Sequence, residues 1–94
     1  MTLSLDGVRL SPSVRASRSA DGLVLLDVLG GCVLASNVVG ARIWELLEQR
    51  RSCDEIGSLL AEEYAIPLDR AVADVCRFVA ALVSRGVAER EAGR

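Results

Sequence analysis

The spacing of apolar and polar residues changes character at Asn37. Before Asn37, apolar residues alternate with polar ones or form short runs between turn signals, which is typical of β-strands. After it they recur every three or four residues, which is typical of helices that bury one face. The length suits one domain, so we expect a single domain over residues 1–94, with irregular ends at 1–12 and 90–94.

Three strands are predicted in the first part of the chain. An edge strand is expected from Val14 to Ser19, and a nearly continuous apolar strand from Leu23 to Val28. The Gly30-Gly31 pair suits a two-residue hairpin turn, which needs positive φ angles. The returning strand, Cys32 to Ala35, would then lie at the end of a three-stranded antiparallel sheet.

Three helices are predicted from their end signals. Asn37 is a suitable N-cap for a first helix that reaches about Arg50, and Ser52 to Glu55 form a capping box for a second. Pro67 suits the first position of a third helix, which Gly86 would end. The expected core residues are Val39, Ile43, Leu46 and Leu47 with Trp44 beside them, then Ile56, Leu59, Leu60 and Tyr64, and finally Leu68, Val72, Val75, Cys76, Val79, Leu82 and Val83. The predicted fold class is α+β, a winged helix-turn-helix arrangement in which the three-stranded antiparallel sheet precedes three helices.

The residue types present argue against catalysis and metal binding. Histidine, the commonest general base and metal ligand, is absent. Cys32, Cys53 and Cys76 are far apart and form no CxxC pair, so we interpret them as small apolar residues. No glycine-rich phosphate loop or nucleophile motif is found. We therefore predict that the chain is not an enzyme and that it binds neither a cofactor nor a metal.

Charge and hydropathy narrow the possible partners. The chain has no lysine and a net charge of −2, so a surface that neutralises nucleic-acid phosphates is not expected. On the third helix, Asp69 and Asp74 nearly cancel Arg70 and Arg77. Neither a secretory signal nor an apolar run long enough to span a membrane is found, which predicts a cytoplasmic protein without membrane contact. A small winged-helix DNA-binding regulator of transcription remains the alternative function, and a module that dimerises through its own strand edge is a third hypothesis.

An exposed strand edge beside a helix suits peptide binding. An extended peptide can add to an open sheet edge through backbone hydrogen bonds, while neighbouring pockets select its side chains. The last strand, Cys32 to Ala35, would offer such an edge. On the third helix, Ala71, Asp74 and Phe78 lie about 100° from the centre of the expected core stripe. Ala71 leaves space, Phe78 supplies apolar area, and Asp74 could fix a polar group.

From Val24 to Glu89 the sequence resembles the PqqD-like family of RiPP recognition elements, which act on ribosomally made and modified peptides. The resemblance lies in an ordered set of motifs: a strand with Leu-Leu-Asp, a glycine hairpin, "NVVGARIWELL", "DEI", and a final helix with Asp-Val that ends at glycine. Members of the PQQ pathway usually have Pro-Glu-Gly in the hairpin and Asp-Gly after the first helix, where this chain has "DVLGG" and "LEQRR". The segment "VGARIWELL" is more similar to the corresponding segment of the discrete recognition proteins of lasso-peptide clusters.

The resemblance implies a non-catalytic domain that captures the leader segment of a precursor peptide and presents it to a processing enzyme. The expected partners are this leader peptide, a separate leader peptidase and a cyclase. Three departures from the family pattern affect the pocket: Val33 replaces a frequent aromatic residue, Ser36 a leucine, and Val38 a proline. The peptide-binding residues carried over from the family are Cys32, Val33, Leu34 and Ala35 on the strand, and Ala71, Asp74, Val75, Arg77 and Phe78 on the helix.

Overall fold

The computed structural model describes residues 7–29, 31 and 33–90. In this part of the chain an antiparallel sheet precedes three helices, which confirms the predicted α+β class; the winged helix-turn-helix label stays a prediction. The elements, in chain order, are β1 (Val8–Leu10), β2 (Val14–Ser19), β3 (Gly22–Asp27), β4 (Val33–Ser36), α1 (Val38–Glu48), α2 (Cys53–Tyr64), α3 (Leu68–Ser84) and β5 (Ala88–Arg90).

The three-stranded sheet is the predicted meander, with strand order β2-β3-β4. Gly22 begins β3 with a φ of +148°, and a Cβ atom there would lie 2.1 Å from the carbonyl oxygen of Ser36. Only glycine therefore allows the ends of β3 and β4 to approach so closely. The buried Asp27 ends β3: its Oδ1 accepts hydrogen bonds from Ser13 Oγ at 2.6 Å and from the Leu29 amide at 3.2 Å. Gly30 of the predicted hairpin turn lies outside the described residues.

Two of the three predicted helix starts are confirmed by their hydrogen bonds, whereas Pro67 is the N-cap of α3 and not its first residue, which is Leu68. Asn37 Oδ1 accepts from the Gly40 amide at 3.0 Å. Ser52 Oγ accepts from the Glu55 amide at 3.2 Å, and the Glu55 carboxylate accepts from the Ser52 amide at 3.0 Å, so both halves of the capping box form. These caps depend on residues three apart, which is why the local sequence identifies them.

The core face of α3 differs from the predicted stripe. Val75, Val79 and Leu82 are buried as expected, but Ala71 is fully buried as well. The remaining predicted core residues of α3 include Leu68, Cys76 and Val83, all of which are exposed. Apolar residues surround more than half of this helix, so their spacing allows two overlapping faces. Packing selects the face that contains Ala71, whose small side chain suits a close approach. Tyr64 was also predicted inward and is exposed at the end of α2.

A second sheet pairs the two ends of the described chain. β1 and β5 are antiparallel, with Val8 opposite Arg90 and Leu10 opposite Ala88. Arg9 Nη2 and Glu89 Oε1 lie 2.7 Å apart across this pair. The expectation of irregular ends at residues 1–12 and 90–94 is therefore wrong for Val8–Leu10 and for Arg90. Each strand has three residues, which is too short to show an alternating pattern by itself.

Candidate functional site

The strand β4 lies at one end of the three-stranded sheet. It pairs with β3 from Leu26 opposite Val33 to Leu23 opposite Ser36. No other strand within residues 7–29, 31 and 33–90 pairs with its second side. We call this second side, which faces away from β3, the β4 edge.

The side chain of Arg85 indicates which backbone groups point to the β4 edge. Arg85 follows the last residue of α3, and its Nη1 donates to the carbonyl oxygen of Val33 at 3.3 Å. The Val33 carbonyl therefore points towards α3 and away from β3. In an antiparallel strand, alternate residues direct both backbone groups to the same side. Val33 and Ala35 are thus the residues whose N–H and C=O groups face outward.

A groove of about 790 Å³ runs beside the β4 edge, between β4, the start of α1 and α3. Its apolar part includes Leu34, Val39 and Phe78, which also pack against the core. Its polar part on α3 contains two arginines and one aspartate. The full set of lining residues is Leu34, Ala35, Ser36, Asn37, Val39, Gly40, Ile43, Arg70, Asp74, Arg77, Phe78 and Ala81.

Gly40 allows the three walls of the groove to meet. A Cβ atom at this position would lie 1.9 Å from Ser36 Oγ and 3.0 Å from Phe78 Cε1. These distances are well below ordinary van der Waals contact, so any side chain at Gly40 would displace both neighbours. The shape of the groove therefore depends on the absence of a side chain at this residue.

The structure brings together five of the nine residues predicted to bind peptide: Leu34, Ala35, Asp74, Arg77 and Phe78 line the groove. Val33 does not line it, although it belongs to β4, where its side chain is exposed on the opposite face of the sheet from Leu34. Ala71 and Val75 are fully buried in the core and do not reach the groove surface, so the expected space at Ala71 is occupied. Cys32 lies outside the described residues.

The structure also adds groove residues that the sequence reasoning missed. Arg70 and Ala81 lie on the same face of α3 as Asp74, Arg77 and Phe78. Their separations of three and four residues are a helical signal that could have identified them. Ser36, Asn37 and Gly40 lie at the end of β4, between β4 and α1, and in the first turn of α1, so no single strand or helix spacing identifies them.

Two of the charged side chains in the groove form an ion pair. Arg77 Nη2 donates to Asp74 Oδ1 at 2.5 Å, and the arginine is the more exposed partner. Arg70 forms no ion pair within the described part of the chain. The groove therefore carries positive charge that its own residues do not neutralise. No cluster of three or more metal-ligating side chains occurs in the described ranges, and no helix there is long and apolar enough to cross a membrane.

The comparison with protein families shows which family the chain belongs to. The family described as "Coenzyme PQQ synthesis protein D (PqqD)" matches residues 22–88, which is more than half of the chain. The chain belongs to the PqqD family. The match begins with β3 and ends in β5, so it includes β4, α3 and every residue that lines the groove.

Two solved structures similar to this PqqD-family chain contain leader peptides. It is similar to TbiB1, solved in complex with the TbiA(beta) leader peptide, with 30% identity, a TM-score of 0.81, and coverage of 89% of this chain and 98% of that one. It is also similar to a lasso peptide synthetase B1 complexed with the leader peptide, with 28% identity, a TM-score of 0.78, and coverage of 87% of this chain and 96% of that one.

A third similarity concerns the fold alone, since the identity is 22%. The solution structure is the PqqD truncation of Methylobacterium extorquens PqqCD, described as a stand-alone RiPP recognition element. Its TM-score is 0.76, and 93% of each chain is covered. A search of the curated proteins finds no match.

The outer face of the three-stranded sheet is apolar and exposed. Val24, Leu26 and Val33 lie on this face, and Val28 and Leu29 follow at the end of β3. Leu29 is 87% exposed, which is unusual for a leucine beside a folded sheet. Exposed apolar patches of this kind are typical of surfaces that contact another protein.

An ion pair away from the groove joins α1 to α2. Arg42 donates from Nε to Glu63 Oε1 at 2.9 Å and from Nη2 to Glu63 Oε2 at 2.6 Å. This two-pronged hydrogen bonding lowers the pKa of Glu63 from its ordinary value. The Arg42 pKa is raised, mainly by the same hydrogen bonds with further help from Glu45. Both side chains are partly exposed, so the pair is a modest structural contact.

Proposed function

We propose that this chain is a non-catalytic, cytoplasmic RiPP recognition element that captures the leader segment of a ribosomally synthesised precursor peptide. The leader adds as a further strand to the β4 edge and lies against α3. The observation that carries this proposal is an edge strand with outward-facing backbone groups at Val33 and Ala35, beside a groove of about 790 Å³. The similarity to two B1 proteins that were solved with leader peptides supports it.

Strand addition alone gives limited affinity. Val33 and Ala35 offer up to about four backbone hydrogen bonds, each with a net value of about 0.5–1.5 kcal/mol. Their sum, about 2–6 kcal/mol, is below the roughly 8 kcal/mol of a micromolar complex. An apolar leader side chain in the groove, against Leu34, Val39 and Phe78, would supply about 1.5–3 kcal/mol more. We therefore propose that the β4 edge and the groove both contribute to the affinity for the leader, and that the groove determines which leader is selected.

We further propose that the domain delivers the bound leader to a separate leader peptidase, as in lasso-peptide biosynthesis, with a cyclase acting afterwards. The exposed outer face of the sheet supports this step, because a leader at the β4 edge would leave Val24, Leu26 and Leu29 uncovered. Alternate leader side chains would extend this face next to Val33 and Ala35. The processing enzyme could then contact the domain and its peptide together.

A titration of ¹⁵N-labelled protein with a synthetic leader peptide tests the capture step. We expect chemical-shift changes at Val33–Ser36 and along α3 from Arg70 to Ala81, with little change in α2. A peptide of the same composition and scrambled order is the control. Saturation by duplex DNA without any response to the leader would instead support the transcription-regulator alternative. Size-exclusion chromatography at rising protein concentration tests pairing of two β4 edges.

A further inference from the structure

The charges beside the β4 edge differ in sign from the charge of the whole chain. The chain has a net charge of −2. The charged residues that line the groove in the described part of the chain are Arg70, Asp74 and Arg77. Arg85 adds a third arginine at the end of α3, where it contacts the Val33 carbonyl. Only one carboxylate therefore faces three guanidinium groups, so the field at this edge is positive.

The two end arginines are available to a ligand. Asp74 is paired with Arg77, whereas Arg70 and Arg85 have no carboxylate partner among the described residues. Asp69 precedes Arg70, but its Oδ1 accepts from the Arg70 backbone amide at 2.9 Å, and Asp69 does not line the groove.

Arg85 contacts a group that an added strand would need. The Val33 carbonyl faces outward, so a peptide N–H at the β4 edge would compete with Arg85 Nη1 for the same oxygen. The present contact, at 3.3 Å, is longer than the usual N–H···O distance of about 2.9 Å. A guanidinium group has five N–H donors and binds carboxylates in a two-pronged geometry. A carboxylate on the incoming peptide would therefore give Arg85 a stronger partner than the carbonyl it leaves.

We propose that the peptide taken by this edge is acidic at two positions that flank an apolar anchor. One carboxylate pairs with Arg85 beside Val33, the other pairs with Arg70 at the opposite end of α3, and the anchor contacts Phe78 between them. Arg85 is then a specificity-determining residue that fixes the register of the added strand. This inference rests on the proposed peptide-binding function and specifies the chemistry of the peptide.

The helix geometry gives a spacing for the two acidic positions. Arg70 and Arg85 are separated by a rise of roughly 22 Å along α3, at about 1.5 Å per residue. An extended peptide covers this distance in about seven residues, at roughly 3.3 Å per residue. The inference thus predicts the spacing of the two acidic positions in the peptide as well as their charge.

The test is selection from a displayed library of random 16-residue peptides, with the full chain as bait. The variants are Arg85→Gln, Arg85→Glu and Arg70→Gln. Arg15→Gln is the matched control, because Arg15 is an exposed arginine on β2, the strand at the other side of the sheet. Circular dichroism of each variant verifies that it is folded.

The wild-type pool should be enriched in Asp or Glu at two positions about seven residues apart, with an apolar residue between them. Arg85→Gln should remove the preference at one position, Arg70→Gln at the other, and Arg85→Glu should change one preference to Lys or Arg. Single peptides from the wild-type pool should bind Arg85→Gln about fivefold more weakly, as expected for a partly exposed charge pair. Arg15→Gln should select the wild-type pattern.

The outcomes separate this inference from the proposed function. Enrichment of apolar peptides without acidic positions, or the same acidic pattern for Arg85→Gln and Arg70→Gln, would overturn the charge inference and leave peptide capture standing. A folded wild-type protein that enriches no peptide at all would overturn both.

Discussion

Replacing Gly40 by alanine should close the groove and lower the stability of the protein. The added Cβ would lie 1.9 Å from Ser36 Oγ, which can rotate away, and 2.7 Å from Ser36 Cβ, so the end of β4 must shift by roughly 1 Å to restore ordinary contact. The same atom would lie 3.0 Å from Phe78 Cε1 and press on α3. Overpacking of this kind costs about 1–3 kcal/mol, and the better helix propensity of alanine returns up to about 1 kcal/mol.

We therefore expect the free energy of unfolding to fall by about 1–2 kcal/mol, which corresponds to a Tm lower by about 4–8 °C per kcal/mol. Urea unfolding measures this change through the fluorescence of Trp44, the single tryptophan of the chain, which is buried. Leader affinity, measured by fluorescence anisotropy, should fall by about tenfold or more, because both walls of the groove move.

Gly57→Ala is the matched control. A Cβ atom at Gly57 of α2 would lie 2.8 Å from Val72 Cγ2, so this variant should also lose stability. Val72 does not line the groove, and leader affinity should remain that of the wild type. If Gly40→Ala keeps wild-type stability and affinity, the packing around Gly40 does not form the groove as described. If both variants lose affinity equally, the loss reflects stability and not the shape of the groove.

Three further predictions concern the β4 edge, α3 and the pair between α1 and α2. Phe78→Ala removes an apolar wall of the groove, so it should weaken leader binding by about fivefold or more while helix content by circular dichroism is unchanged; wild-type affinity would place the site elsewhere. Val33→Pro removes an outward N–H, so a folded variant that still binds the leader normally would contradict strand addition. Arg42 lowers the pKa of Glu63 in the folded state, so the Arg42–Glu63 pair stabilises the fold. Its contribution is complete above the unfolded-state pKa of about 4.3 and is lost as the pH falls through the lower folded-state pKa. The free energy of unfolding of the wild type should thus exceed that of Glu63→Gln by about 0.5–1 kcal/mol at pH 7, and this difference should shrink in acid. A difference that does not change with pH would contradict this account.

The features that depend on neighbouring residues were predictable from the sequence. The cap at Asn37 and the capping box from Ser52 to Glu55 form between residues three apart, and the meander follows from turn signals between short apolar strands. The β1–β5 pair was missed because its partners are about eighty residues apart in the chain, and neither strand shows a pattern without the other.

The site was predictable where it follows helical spacing. Asp74, Arg77 and Phe78 share a face of α3 and line the groove together. Ala71 was assigned to the same face, but small apolar residues suit both a groove and a tight helix contact, and only the packed structure decides between them. Arg85 could not be identified, because its contact with Val33 joins residues 52 positions apart.

The pairing of β1 with β5 has a consequence for how this unit can be joined to other proteins. Val8 and Arg90 face each other across an antiparallel pair, so the two ends of the described unit are separated by about 5 Å. A host enzyme could accept residues 8–90 within a surface loop without stretching its own backbone. Genetic insertion, and not only end-to-end fusion, is therefore open to a recognition unit of this shape.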